Sequence, residues 1–311
     1  MGFPDSVTVV EVGPRDGFQR ETTFIPTEIK IEIINALFNT GIGQMEVTSF
    51  ISPKAIPQMA DASEVVSAIE RRREGLRLIA LVPNPKGAEN AVRSEVDEIR
   101  IFVSASESHN LSNVNRSIEE SLMGFQEVMR IVAGHEVAVN ADIAVAFGCP
   151  FEGNVPSEQV RWIAGQLLAL GAEGITVCDT TGMATPPIVR RVCECLLTAY
   201  PELDLGLHFH NTRGIGLVNI YEALNLGLTT FESSIAGLGG CPFAPGATGN
   251  VCTEDLVYLL HELGIQTGID LRALIKVAKR MEEVIGRPLP GQLMKAGLRL
   301  DLHPFNKEVR K

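Results

Sequence analysis

Eight times between residues 7 and 240 a short run of β-branched and other apolar residues ends in polar residues or glycine, and each time an amphipathic stretch follows. The apolar runs predict strands within 7–16, 44–50, 76–83, 98–106, 137–150, 174–182, 203–214 and 229–240. The amphipathic stretches predict helices near 26–41, 61–74, 84–94, 117–133, 156–170, 185–199, 215–227 and 253–263. Strands that alternate with helices pair in parallel, since each crossover returns the chain to the same end of the sheet. Eight units in roughly 250 residues match a closed (β/α)8 TIM barrel better than an open sheet. No G-x-G-x-x-G follows the first strand, which weakens a dinucleotide-binding alternative. No linker or low-complexity tract divides residues 1–311. The reading is one catalytic domain, with the barrel over about 7–265 and an extension over about 266–311 that carries a helix near 270–285.

Composition narrows the partners. A formal net charge of −11 argues against nucleic acid or an anionic membrane as a global partner, though a local basic pocket stays open. No apolar run reaches the ~18 residues of a membrane span, and the first residues lack the basic-then-apolar order of a signal peptide. Cys149, Cys178, Cys193, Cys195, Cys241 and Cys252 show no secreted-scaffold spacing. They read as reduced, mostly buried thiols of a cytoplasmic enzyme. A homo-oligomer is expected.

In such a barrel the active site lies at the C-terminal ends of the strands. Polar residues gather there: Arg15, Asp16 and Gln19 after strand 1, Glu46 in strand 2, Ser104 after strand 4, Asp179 after strand 6, and His208 and His210 after strand 7. "HFH" is the sharpest local signal. Residues i and i+2 of a strand share a face, so inward-facing His208 and His210 put two imidazoles into one mouth. With Asp16 as an anionic oxygen and Asn250 as a neutral one, the set suits octahedral Mg²⁺ or Mn²⁺. Zinc fits less naturally, because no thiolate is near the pair in sequence. "PRDG" reads either as a turn with a local ion pair or as Asp16 on the metal and Arg15 aimed at a developing oxyanion. "GLGGCPFAPGATGN", residues 237–250, is too rich in glycine to be core. It reads as a slack loop or as a closing loop that carries a reactive Cys241.

"VEVGPRDGFQRE", "MEVTSFISPKAIPQMAD", "FGCPFEG" and "SSIAGLGGCPFAPGATGNVCTEDLVYLL" resemble the 3-hydroxy-3-methylglutaryl-CoA lyase family, in the order of all eight units from about residue 7 to 270. The resemblance implies a metal-dependent carbon–carbon lyase acting on an acyl-CoA, in leucine degradation or ketone-body formation. It implies Asp16, His208, His210 and Asn250 as metal ligands. Arg15 would stabilise the enolate oxygen of the thioester, and Cys241 would be the cysteine of a mobile loop. Glu46 and Asp179 would assist as acids, and Gln19, with Arg15 and Ser104, would meet the substrate. Either Asp16 or His208 would accept the C3 hydroxyl proton. Two departures stand out. The family commonly reads His-x-His-Asp-Thr-Tyr-Gly where this chain has "HFHNTRG", so Asn211 removes a carboxylate and Arg213 adds a cation. "SHNLSNVNRS" also lacks the family's lysine pair, which leaves Arg116 or other residues for the CoA phosphates. Two other classes compete: an acetyl-CoA-dependent condensing synthase of the isopropylmalate type, and a metal-binding barrel without catalysis. Cys241 counts against the first, and the complete ligand set against the second.

Overall fold

The computed structural model describes residues 2–70, 75–240 and 249–302. Eight strands, Thr8–Glu11 (β1), Gln44–Ser49 (β2), Arg77–Leu81 (β3), Glu98–Ser104 (β4), Ala138–Ala144 (β5), Gly174–Asp179 (β6), Asp204–Phe209 (β7) and Thr230–Ser233 (β8), form a closed parallel barrel in sequence order. Around it run the helices Thr27–Asn39 (α1), Ala62–Ala68 (α2), Pro85–Arg93 (α3), Glu107–Val114 (α4), Ile118–Val132 (α5), Ser157–Leu170 (α6), Pro186–Ala199 (α7), Gly216–Asn225 (α8) and Thr253–Glu262 (α9). Leu271–Ile285 (α10) and Leu293–Ala296 (α11) follow the last barrel helix. This is the (β/α)8 TIM barrel with an extra C-terminal helical segment that the hydrophobic pattern predicts. Among the described residues no helix is long and apolar enough to cross a membrane.

Local chemistry sets the helix starts. Ser117 and Glu120 close a reciprocal capping box at α5, with bonds of 3.0 and 2.8 Å. Asn84 accepts from Gly87 N at 3.0 Å, and Pro85 opens α3 where no amide partner is needed. Besides the short α11 of the tail, one helix escapes the pattern: α4, in a stretch that sequence reads as loop. Its composition is polar, but Ser106 accepts from His109 N at its start, and Asn115 ends it in a left-handed turn at φ 54°.

The core lies between strands and helices. Outward residues of each strand join it, for example Val9, Met45, Ile99, Ile101, Ala141, Ile143, Val177, Leu207 and Phe231, all buried. A fully buried side chain of valine or leucine size contributes roughly 1.5–3 kcal/mol. Residues one position on, by the alternation of a strand, face the barrel axis. There the apolar set shrinks to a cluster of Val10, Val12 and Ile79. Most of the rest of the inner layer is polar and buried: Glu46, Glu98, Arg100, Asp142, Thr176, His208 and Glu232.

Candidate functional site

The polar end of the barrel starts directly after β1. Gly13–Gly17 form a single π-helical turn, in which Val12 O accepts from Arg15 N at 3.1 Å and Asp16 N at 2.7 Å. That turn aims two consecutive charged side chains inward. His208 is the penultimate residue of β7, and His210 follows it directly. Phe209 between them is buried in the outer core, so the two imidazoles share the inner face, with ring centroids 5.2 Å apart. Asn250 reaches the site because the chain returns beside β7. Asn211 N donates to Gly249 O at 3.1 Å, and Val251 N to Phe209 O at 3.1 Å. Asp16, His208 and His210 each offer an atom, all within 4.8 Å of one another.

Every oxygen of Asp16 is held. Oδ1 accepts from Gln19 Nε2 at 2.9 Å and from Arg15 Nη1 at 3.0 Å, and Oδ2 accepts from Asn250 Nδ2 at 2.7 Å. Burial alone would raise its pKa, but Arg15, then His208 and His210, hold it down at about 2. Arg15 also donates from Nε to Glu46 Oε2 at 2.6 Å, so one guanidinium spans two carboxylates. Burial lifts Glu46 to about 8 against the pull of Arg15, and lifts Asp179 to about 7. Asp179 Oδ1 accepts from Met183 N at 2.6 Å and Ala184 N at 3.0 Å. Burial, and then His208, push His210 down to about 4, so its ring is neutral with a free lone pair at physiological pH.

Buried atoms at this end without a hydrogen-bond partner among the described residues include Glu46 Oε1, Asp179 Oδ2, His210 Nδ1 and Asn250 Oδ1. Each can act as an acceptor, and burying acceptors without donors costs free energy. Of these residues, His210 and Asn250 stand beside Asp16 and His208, and a divalent cation would draw on all four. Two imidazoles, a carboxylate and an amide oxygen fit Mg²⁺ or Mn²⁺ chemistry.

Gly239 presses against this cluster. Its φ is 116°, and a Cβ there would lie 2.6 Å from Asn250 Nδ2 and 3.0 Å from Asp16 Oδ2. Cys241, two residues on, lies outside the described residues. Burial pushes the thiols of Cys178, Cys193 and Cys252 up, in keeping with inert buried cysteines.

Ser104 sits elsewhere. It is fully buried at the end of β4, with its Oγ 2.8 Å from His109 Nδ1. No hydrogen bond joins it to the Asp16 cluster among the described residues. Asn211 accepts from Gly216 N at 3.0 Å and so helps start α8. Arg213 donates from Nη1 to Thr181 O at 3.1 Å and Gly182 O at 2.6 Å, which staples the loop after β7 to the loop after β6.

Sequence reading passes over Glu232, Arg100 and Asp142. Glu232 Oε2 lies 2.9 Å from His208 Nδ1, and Arg100 Nη1 bonds both Glu232 Oε1 and Asp142 Oδ1. The signal that finds them is alternation. In "EIRI" and "VNADI" the apolar residues take the outer face, which leaves Arg100 and Asp142 no place but the axis.

The HMGL-like family model matches residues 6–281. The hydroxymethylglutaryl-CoA lyase YngG of Bacillus subtilis is 44% identical over 292 residues, 94% of this chain and 97% of its own length. A Pseudomonas aeruginosa 3-hydroxy-3-isohexenylglutaryl-CoA/hydroxymethylglutaryl-CoA lyase is 43% identical over 296 residues, 95% of this chain and 98% of that protein. The structure of an HMG-CoA lyase from Acinetobacter baumannii, in complex with coenzyme A and 3-methylmalate, superposes with a TM-score of 0.93 at 45% identity. The match covers 98% of this chain and 100% of that one.

Proposed function

This chain belongs to the HMGL-like family, and from that premise we propose that it cleaves 3-hydroxy-3-methylglutaryl-CoA to acetyl-CoA and acetoacetate. The observation that carries the reading is Arg15 lying beside the Asp16–His208–His210 cluster at the barrel's C-terminal end. Close 3-hydroxyacyl-CoA analogues are candidate substrates as well, since one relative is named for a longer acyl group.

Asp16, His208, His210 and Asn250 would hold the divalent cation, Mg²⁺ or Mn²⁺, which supplies Lewis acidity toward the substrate's hydroxyl and carboxylate oxygens. Removal of the C3 hydroxyl proton lets the oxygen's electrons form a carbonyl. The C2–C3 bond then breaks, and its electron pair moves into the thioester as an enolate. Asp16 and His208 are the two candidates for the base. Arg15 meets the enolate oxygen, and its charge is fixed because Glu46 and Asp16 on either side keep it protonated. Glu46 and Asp179, lifted by burial toward neutrality, are suited to hold or pass protons there. Gln19 donates to Asp16 Oδ1 and would meet the substrate beside it. Protonation of C2 would fall to the Cys241 thiol, an acid strong enough to donate to the enolate carbon. The reading places the enzyme in the cytoplasm as a homo-oligomer, in leucine breakdown or ketone-body formation.

The deciding experiment is a screen of 3-hydroxyacyl-CoA thioesters with Mg²⁺ or Mn²⁺. Release of acetyl-CoA supports the lyase. Its consumption in the presence of a 2-oxo acid would mean a condensing synthase, and neither change would leave a non-catalytic barrel.

Cys241→Ser should cut kcat on the order of 10²-fold or more, the scale of a general acid, because a hydroxyl is a far weaker acid than a thiol. KM and metal content should change much less. A serine variant with near-native kcat would move proton donation to Glu46 or to a water.

Asn211→Asp with Arg213→Tyr should reorder kcat/KM among acyl-CoA substrates while sparing metal binding. Aspartate can still accept from Gly216 N, so the change comes chiefly through Arg213, whose loss releases the loop after β6. An identical substrate ranking in the double variant would show that these positions do not tune selectivity.

A further inference from the structure

The buried charges inside the barrel form one connected set. Arg100 Nε donates to Glu98 Oε1 at 2.5 Å, and Arg100 Nη1 lies 3.0 Å from Asp142 Oδ1, 2.8 Å from Thr176 Oγ1 and 2.7 Å from Glu232 Oε1. Four strands thus fix one guanidinium. Glu232 then divides its oxygens, Oε1 to Arg100 and Oε2 to His208 Nδ1 at 2.9 Å. Its Cα is the register partner of His208 across the β7–β8 ladder, so the contact is built into the strand pairing.

From this geometry we propose that Glu232, oriented by Arg100, is a positioning residue that fixes the ring and tautomer of His208 for metal ligation. The inference rests on the metal of the proposed reading, not on its substrate. The chemistry is one of donors and acceptors. Held against the Arg100 guanidinium, Glu232 is an ionised carboxylate, and both oxygens of an ionised carboxylate only accept. An accepting oxygen requires the proton of a neutral imidazole to sit on Nδ1. That leaves Nε2 with its lone pair, as the nitrogen His208 offers to a cation. With both nitrogens so engaged His208 has no lone pair for the C3 hydroxyl proton, which leaves Asp16 as the base candidate.

Glu232→Gln reverses this logic without changing size. Arg100 can face only the amide oxygen, so the amide NH₂ is turned to His208 Nδ1. A donor there forces the proton to Nε2 and blocks the ligating atom.

The test labels histidine with ¹⁵N and reads the tautomer by long-range ¹H–¹⁵N correlation on metal-free protein in mildly alkaline buffer. The His208 signals are those missing from His208→Asn. The native protein should carry the proton on Nδ1, and Glu232→Gln should carry it on Nε2. Mn²⁺ affinity, read from the free-ion electron paramagnetic resonance signal, should fall about 10–100-fold, the scale of lost outer-sphere partners. A purely structural role would lower the melting temperature and leave tautomer and affinity alone. Should the variant not fold, the native tautomer still decides, since a proton on Nε2 would overturn the proposal. Mn²⁺ affinity within twofold of native in a folded Glu232→Gln protein would overturn it too. Failure of the native protein to bind Mn²⁺ at all would instead sink the metal reading itself.

Discussion

Arg15→Gln is expected to lower kcat by on the order of 10²–10³-fold, the cost of removing one donor from an oxyanion site. Glutamine can still donate a hydrogen bond but carries no charge to meet the enolate. The loss should fall on kcat more than on KM, because the enolate exists only past the ground state. Arg15 also bridges Glu46 and Asp16, at 2.6 and 3.0 Å, so its removal leaves the ionised Asp16 without its adjacent cation and lets Glu46 stay neutral. An unmatched buried charge is costly, and the melting temperature should drop together with activity. The measurement is a steady-state assay of acetyl-CoA release beside thermal unfolding. A kcat near that of the native enzyme would remove Arg15 from the reaction.

His210→Ala is expected to weaken divalent-metal binding and turnover together, by more than the roughly 10–100-fold that outer partners carry. The side chain lies beyond the end of β7 rather than in the outer core, so the far-ultraviolet circular dichroism should be native. Metal content by elemental analysis and turnover across a Mn²⁺ titration read the effect. If excess Mn²⁺ restores full turnover, His210 serves affinity alone. Unchanged metal content and unchanged turnover would sink the ligand assignment.

The barrel and most of its mouth were legible in the chain because the two periods are clean. β-branched runs such as "GITVCD" alternate with amphipathic stretches such as "SEQVRWIAGQLLAL", and eight such units in roughly 250 residues match a closed sheet better than an open one. Asp16, His208 and His210 were legible because strand ends define the mouth and "HFH" keeps both rings on one face. Asn250 was offered as a neutral oxygen, but how it reaches the site was not legible, since a residue 40 positions after His210 comes beside it through the return of the chain along β7. The helix α4 was hidden by polar composition, and its cap at Ser106 is one serine among several. The ionic interior was hidden for another reason. Strands of a parallel barrel are covered on both sides, so an acidic residue such as Glu232 reads first as a strand end. Only the contact with His208 shows what it does. Ser104 is the reverse case: its place after a strand suggested substrate, yet its hydroxyl is spent on His109.

Gly239 carries a consequence for how such a sequence drifts over generations. Every other amino acid brings a Cβ, and at this position that carbon would push into Asn250 and Asp16 at once. The backbone is also in a conformation that L side chains rarely adopt, with φ at 116°. Any missense change of that codon therefore strikes the chemistry, even though the residue has no side chain to take part in it. Arg213 stands under a looser constraint: its hydrogen bonds among the described residues go to the carbonyls of Thr181 and Gly182, although its charge also acts on Asp179. If the Asn211→Asp, Arg213→Tyr variant reorders substrates as expected, heritable variation in this protein is channelled toward the acyl group it accepts and away from the bond it breaks.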